Sequence, residues 1–207
     1  AVPDAVIEEK QILTVTVGTD KLHHLAKTLR YNAEFPFDFL VMLTGMDRGE
    51  ELGVNYLLSS SKDVSKEVVL KTSTADRKNP LLYSVTDLWE TAHLNEREVY
   101  ALFGIRFINN PDMRPFLLNP DWKGFPFRKD YDADPALNPV KTESKEIIDI
   151  APYIVETAQG GIKEETVKVF EDEEYVINID PQHPSTHGVM HFRTSLDGEI
   201  VKKIDIH

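Results

Sequence analysis

The chain has 207 residues, 41% of them hydrophobic and 28% charged, with a formal net charge of −12. Such a composition is ordinary for a globular protein and excludes a collagen-like or wholly disordered chain, and the negative balance argues against general nucleic-acid binding, which needs cations to displace counterions. Cysteine is absent, which excludes disulfides, a thiol nucleophile and an iron–sulfur cluster held by this chain's own thiolates, and fits a reducing compartment.

The longest apolar run, Phe35 to Met46, is broken by Pro36, Asp38, Thr44 and Gly45, and falls short of the roughly 18 residues that cross a bilayer. Ala1-Val-Pro-Asp shows neither the basic n-region nor the apolar core of a secretory leader, and the missing initiator Met predicts a processed or trimmed chain. Charge is unevenly spread. Ten carboxylates between Lys141 and Tyr175 face four lysines, whereas Arg106 to Lys129 carries five cations against Asp112 and Asp121. A compact body, a basic loop region and an acidic connector are expected.

In chain order, Gln11–Val17 alternates and is rich in β-branched residues, as a strand would be. Asp20 is placed to cap a helix whose apolar positions Leu22, Leu25, Ala26 and Leu29 recur at helical spacing. Phe37–Leu43 reads as buried and ends in the turn-prone stretch from Gly45 to Gly53; Gly53–Ser60 and Glu67–Thr74 read as two further strands. An antiparallel meander covered on one face by the first helix is the expected product. Ser84, with Asp87 three residues on, has the spacing of a capping box. It predicts one helix, or two broken near His93, running to Gly104 as a left-handed C-cap. Four prolines between Arg106 and Tyr131 predict short, stiff segments. Residues 132–174 lack a clear period and read as an extended connector, or simply a solvated tail. Tyr175–Asp180 alternates, Val189–Leu196 resumes the pattern, and Asp197-Gly198 predicts a two-residue turn into Glu199–Ile206. A lone hairpin is marginal in water, so a cut within a second domain is expected.

Three stretches carry candidate chemistry. In the helix around Glu96, Arg97, Glu98 and Tyr100, the residues read either as an exposed charged turn or as an interface helix whose Arg97 pairs with a partner's carboxylate. The segment from Pro111 to Asp132, with Arg114, Arg128 and Lys129 among prolines and aromatics, reads as a packed loop or as a cationic surface loop. In PQHPSTHG, His183 and His187 are four apart, but Pro184 and Gly188 argue against a helix and no carboxylate stands ready as a third metal ligand. Turn-stabilising histidines, an imidazole that hydrogen-bonds a carbonyl or moves a proton, and a metal pair all remain open. His23, His24, His93 and His191 are expected on helix surfaces or strand faces.

Taken together, NEREVYALFGIRF, NPDMRPFLL and DWKGFPFRKDY resemble, in order, the C-type subunit of respiratory complex I, the NADH:quinone oxidoreductase; VINIDPQHPSTHGVMHFRTSLDGEIV resembles the opening of the D-type subunit. Both in one chain imply the fused C/D form of some bacteria, with the D part truncated. The resemblance implies an α+β fold: a two-layer, mainly antiparallel domain over residues 1–131 with helices on one face, a connector over 132–174, and the start of a D-like domain, a β-hairpin, over 175–207. It implies that the C part scaffolds cluster-bearing neighbours without binding a cofactor, through Glu96, Arg97, Glu98, Tyr100, Gly104, Arg106, Arg114, Arg128, Lys129, Asp130 and Tyr131. It further implies that the D part supplies a quinone-site loop, His183, Pro184, Ser185, Thr186, His187 and Gly188, in which His187 hydrogen-bonds the quinone head group beside a Tyr beyond His207. No metal is expected. NADH, FMN and iron–sulfur clusters belong, on this resemblance, to partner subunits. The chain would be peripheral, without a transmembrane segment, on the cytoplasmic side of the bacterial inner membrane, and inactive alone. Departures stand at Ala101, where the family usually has Asp, at Asn109-Asn110 for Gly-His, at Pro115 for Arg and at Phe125 for His. A ferredoxin- or F420-linked quinone reductase, a membrane-bound hydrogenase, and a pure scaffold without catalytic part are the rival readings.

Overall fold

The computed structural model describes residues 4–9, 11–118, 121–134, 136–138, 149–179 and 191–206. Its principal sheet contains β1 (Val6–Glu8), β2 (Leu13–Thr16), β3 (Phe39–Asp47), β4 (Leu52–Ser59) and β5 (Glu67–Thr74) in the order β1-β2-β5-β4-β3. β3, β4 and β5 form the expected antiparallel meander; β2 joins it parallel to β5, with Leu13 opposite Val68. Period-two alternation sets Leu52, Val54, Tyr56 and Leu58 of β4 beside Thr72, Leu70 and Val68 of β5 on the buried face. In β3 a register shift between Leu40 and Met42 inserts one extra residue. Leu43 stands three positions after Leu40, so an unbroken pleat would turn them to opposite faces. The bulge lets both reach the core.

Helix α1 (Thr19–Arg30) packs against β5 and the short β6 (Leu81–Tyr83), burying Leu22 and Ala26. Its N-cap is Gly18, not Asp20, which lies in the first turn; there a carboxylate complements the exposed N–H dipoles without capping them. Helix α2 (Ala92–Phe103) packs against β3 and against β7 (Arg106–Ile108), and serves as the crossover that makes β6 and β7 parallel neighbours. The Ser84 capping box is not realised. Ser84 Oγ instead accepts the Thr86 N–H at 3.1 Å, so the chain after it runs in turns and α2, capped at Thr91, starts seven residues later than the spacing predicts. The C-cap is as expected. Gly104 has φ 75°, its N–H bonds Tyr100 C=O at 2.8 Å, and a Cβ there would meet the Phe125 ring at 2.5 Å.

Part of the stretch read as a connector is folded. β8 (Ile150–Glu156) and β9 (Ile162–Lys168) form an antiparallel hairpin, and β8 lies against β7. Two backbone bonds anchor it, Asn109 N–H to Ile154 C=O at 2.6 Å and Met113 N–H to Pro152 C=O at 2.9 Å. Only Ala151 and Ile154 of this hairpin are buried, and β9 is exposed throughout. With so short an apolar stripe, its sequence has no legible period.

The last three strands, β10 (Tyr175–Ile179), β11 (Phe192–Asp197) and β12 (Ile200–Ile206), form an antiparallel sheet of three, not a lone hairpin. Asp197 pairs with Ile200, so the turn is Gly198-Glu199, one residue beyond the expected pair. Gly198 takes φ 60°, as a hairpin turn with glycine in its first central position requires. The molecule is thus sheet-rich with two α-helices among the described residues, compatible with an α+β class.

Candidate functional site

The charged turn of α2 faces inward. Glu96 is 0% exposed and Arg97 2%, so neither the exposed-turn reading nor an Arg97 left free for a partner's carboxylate holds. Glu96 stitches three segments. Its Oε1 accepts the Val85 N–H at 2.9 Å and its Oε2 the Asn110 side-chain N–H at 2.8 Å. Burial pushes this carboxyl up to about 7, although the hydrogen bonds from Val85, Asn110 and Ser84 favour the anion.

Arg97 donates from Nε to Arg114 C=O at 3.1 Å, approaches Asp112 at 3.4 Å and lies 5.5 Å from the Phe116 ring centroid. Arg114, 3% exposed, is the centre of the cluster. Its Nη2 donates to Asp112 Oδ2 at 2.6 Å and to Asp205 Oδ1 at 2.5 Å, and its Nη1 reaches Asp205 Oδ2 at 3.3 Å. Burial works against both charges, yet the paired geometry wins: Arg114 and Arg97 hold the Asp112 carboxyl below the usual range, and Asp112 with Asp205 raises Arg114. Because Asp205 lies on β12, a single guanidinium ties the segment after β7 to the final sheet. Arg193 of β11 adds to the junction, bonding Asp149 and lying 4.9 Å from the Phe170 ring centroid. The last sheet is therefore packed on the body.

A second network seats the Arg128-Lys129-Asp130-Tyr131 motif. Arg77 forks onto Asp47 at 2.8 and 2.9 Å and reaches Asp130 at 3.0 Å. Lys129 N–H donates to Asp47 at 2.8 Å, Arg128 Nη2 to Arg77 C=O at 2.6 Å, and Arg128 Nε to Asp130 at 3.1 Å. Arg77, with the Lys129 and Gly49 N–H groups, holds Asp47 well below the usual carboxylate range against the effect of burial. The Tyr131 hydroxyl accepts from Asn138 at 3.0 Å. Replacing Arg77 by alanine is expected to leave Asp47 and Asp130 without their shared cation, costing about 1–3 kcal/mol. Limited proteolysis should then cut within residues 121–131 well before the β3–β5 meander; an unchanged digestion pattern would count against this anchoring.

Other expected residues are placed separately. Tyr100 stacks at a tilt on Phe125, 6.1 Å between centroids, and Arg106 bonds Glu164 and Asn79. Glu98 lines a shallow groove beside β3. In the segment from Pro111 to Asp132, of which residues 119 and 120 lie outside the described ones, Arg114 and Arg128 are engaged within the fold, as in a packed loop, while the Lys129 side chain is exposed. His23 sits on α1, bonded to Asp87 at 2.9 Å, and His93 on α2, where burial lowers its pKa. His183, Pro184, Ser185, Thr186, His187 and Gly188 lie outside the described residues. The flanking strand ends are described: Ile179 and Phe192 are cross-strand partners. Sequence reasoning missed Asp47, Arg77, Asn110 and Asp205. A lone Asp alternating with isoleucines in β12 reads as solvated, and no spacing rule links it to Arg114, 91 residues away.

Among the described residues no group of three His, Asp or Glu could hold a metal, and no helix is long and apolar enough to cross a membrane. The site thus consists of a mixed sheet, a crossover helix with inward-facing Glu-Arg, and a charge cluster tying that helix to a final sheet. The chain belongs to the family described as respiratory-chain NADH dehydrogenase, 30 Kd subunit, whose model matches residues 15–136. It is 47% identical over 194 residues to the NADH-quinone oxidoreductase C/D subunit of Phocaeicola vulgatus, covering 93% of this chain and 36% of that protein. The C/D subunit of Bacteroides thetaiotaomicron is 45% identical over 188 residues (86% and 35% covered). That of Proteus mirabilis is 29% identical over 215 residues (95% and 34%). The resemblance to a fused C/D protein is thus borne out, and the chain spans about a third of the length of the curated relatives it matches. Two departures fit the geometry. Asn109 takes φ 69°, a left-handed backbone that Asn tolerates better than most residues. Asn110 supplies the donor to Glu96.

Proposed function

We propose that this chain is the C part and the opening of the D part of a peripheral-arm subunit in an energy-converting, ion-translocating NADH:quinone oxidoreductase. The observation that carries the reading is the run of C/D relatives matching nearly the whole chain, across both the body and the final sheet. On this reading residues 1–131 form a two-layer C-type domain, 132–174 join it to the D-type segment, and 175–207 begin the latter. The C part scaffolds neighbouring subunits that carry FMN and iron–sulfur clusters, with NADH oxidised there. Having no cysteine, this chain offers no thiolates for a cluster. The complex acts at the cytoplasmic side of the bacterial inner membrane, with peripheral-arm and membrane subunits as partners.

Within it, His187 donates a hydrogen bond to a carbonyl of the quinone head group. Reduction to quinol takes two electrons from a neighbouring cluster and two protons. An imidazolium or imidazole N–H aimed at the oxygen stabilises the negative charge that develops there and relays a proton to it. Positioned donors of this kind are worth about 3 kcal/mol in the transition state. Substituting His187→Ala in the assembled complex is therefore expected to lower quinone reduction about 100-fold while NADH oxidation by an artificial acceptor and the set of assembled subunits stay normal. Unchanged quinone reduction with normal assembly would leave the pure scaffold reading. The isolated chain is expected to be inactive.

A further inference from the structure

The final sheet is amphipathic the unusual way round. Its polar face is turned to the body: Asp205 meets Arg114, Arg193 meets Asp149 and Phe170, and Lys203 bonds Val169 C=O. The opposite face is apolar in three cross-strand rows. Ile179, Phe192 and Ile206 form one, Ile177, Thr194 and Ile204 the next. A bulge between Ser195 and Leu196 completes the third, bringing Val201 rather than Lys202 opposite Leu196, with Tyr175 on its other side. Lys202, released from the row, pairs with Asp197 at 3.3 Å. The rim of this face is open, with Tyr175 69% exposed, Ile204 54%, Val201 50% and Ile179 46%, while Thr194 in its middle row is 3% exposed. Scattered exposed apolar residues such as Val64 and Ile162 need no explanation, but an apolar patch contiguous over three strands marks an interface.

We propose that this face is the seat of the polypeptide that follows residue 207 in the fused C/D chain. The inference rests on the C/D reading above. On that reading the occupant is tethered polypeptide, because nearly two-thirds of each relative lies outside the part this chain matches: it covers 36% of one and 35% of another. β12 delivers the chain to the rim of that face at Ile206. A covalently tethered segment reaches it at high effective concentration, ahead of any diffusing partner. The buried Arg114–Asp205 pair fixes the orientation of the sheet, so the apolar face points outward before the remainder folds onto it.

Hydroxyl-radical footprinting of the 207-residue chain and of the full-length C/D chain tests this. Oxidation of Tyr175, Val201 and Ile204 is expected to slow roughly ten-fold in the longer chain, with Ile162 of β9 unchanged. Equal labelling in both chains would overturn the proposal. So would protection of the short chain that rises with its own concentration, which makes a second copy the occupant, or protection only after other subunits are added. Failure of the C/D reading is seen separately: the full-length chain would then not co-purify with a quinone-reducing assembly, whatever its footprint.

Discussion

Replacing Arg114 by methionine is expected to cost the fold about 3–5 kcal/mol. The side chain is buried and holds two carboxylates at once, Asp112 at 2.6 Å and Asp205 at 2.5 Å. Truncation to an apolar chain leaves both in a low-dielectric setting without their shared guanidinium, with Arg97 at 3.4 Å from Asp112 and Arg193 at 3.8 Å from Asp205 as remoter cations. The cost comes less from the lost attraction than from uncompensated charge. A second change, Asp205→Leu, removes half of that burden, so the double variant should be more stable than Arg114→Met alone. Urea unfolding of the three proteins checks the order. Amide exchange should show β11 and β12 opening first in the single variant. A loss under 1 kcal/mol, or a double variant that is simply additive, would mean that the cluster does not tie the sheet to the body.

Glu96 gives the second large effect, and it depends on pH. Its carboxyl sits at about 7 in the folded protein, above the ordinary 4.5, because burial penalises the anion. The folded state therefore binds this proton more tightly than the unfolded chain does. Its contribution to stability is fully present below about pH 4.5 and is lost as pH rises to 7, a change of about 3 kcal/mol by linkage. Glu96→Gln cannot titrate. Its amide also sets an N–H against either Val85 or Asn110, a constant cost at every pH. Relative to the native protein, the variant should gain about 3 kcal/mol between pH 4.5 and pH 8. Parallel stability curves for the two proteins over that window would contradict the assignment.

Much of the body was legible in the residues. β5 and α1 follow from alternation and helical spacing alone, since each buries one clean stripe. Other features depend on contacts that no local pattern announces. The bulge in β3 answers to the three-residue offset between Leu40 and Leu43, which a strict alternation rule reads as a break. The β8–β9 hairpin buries only two side chains. The Glu96-Arg97 pair looks like a solvated helix turn because its partners, Asn110, Asp112 and Arg114, arrive from a separate loop. The family was found by a different route, through several motifs standing in the right order, a signal that neither hydropathy nor charge contains.

Bringing the loop from His183 to Gly188 to the quinone is the central role that this reading gives the chain. Labelling the assembled, membrane-bound complex with a photoreactive quinone analogue, followed by peptide mapping, tests it most directly. The label is expected on the peptide that contains His187, and excess natural quinone should displace it. Labelling confined to other subunits, with this peptide unmodified while the complex turns over quinone, would contradict the account.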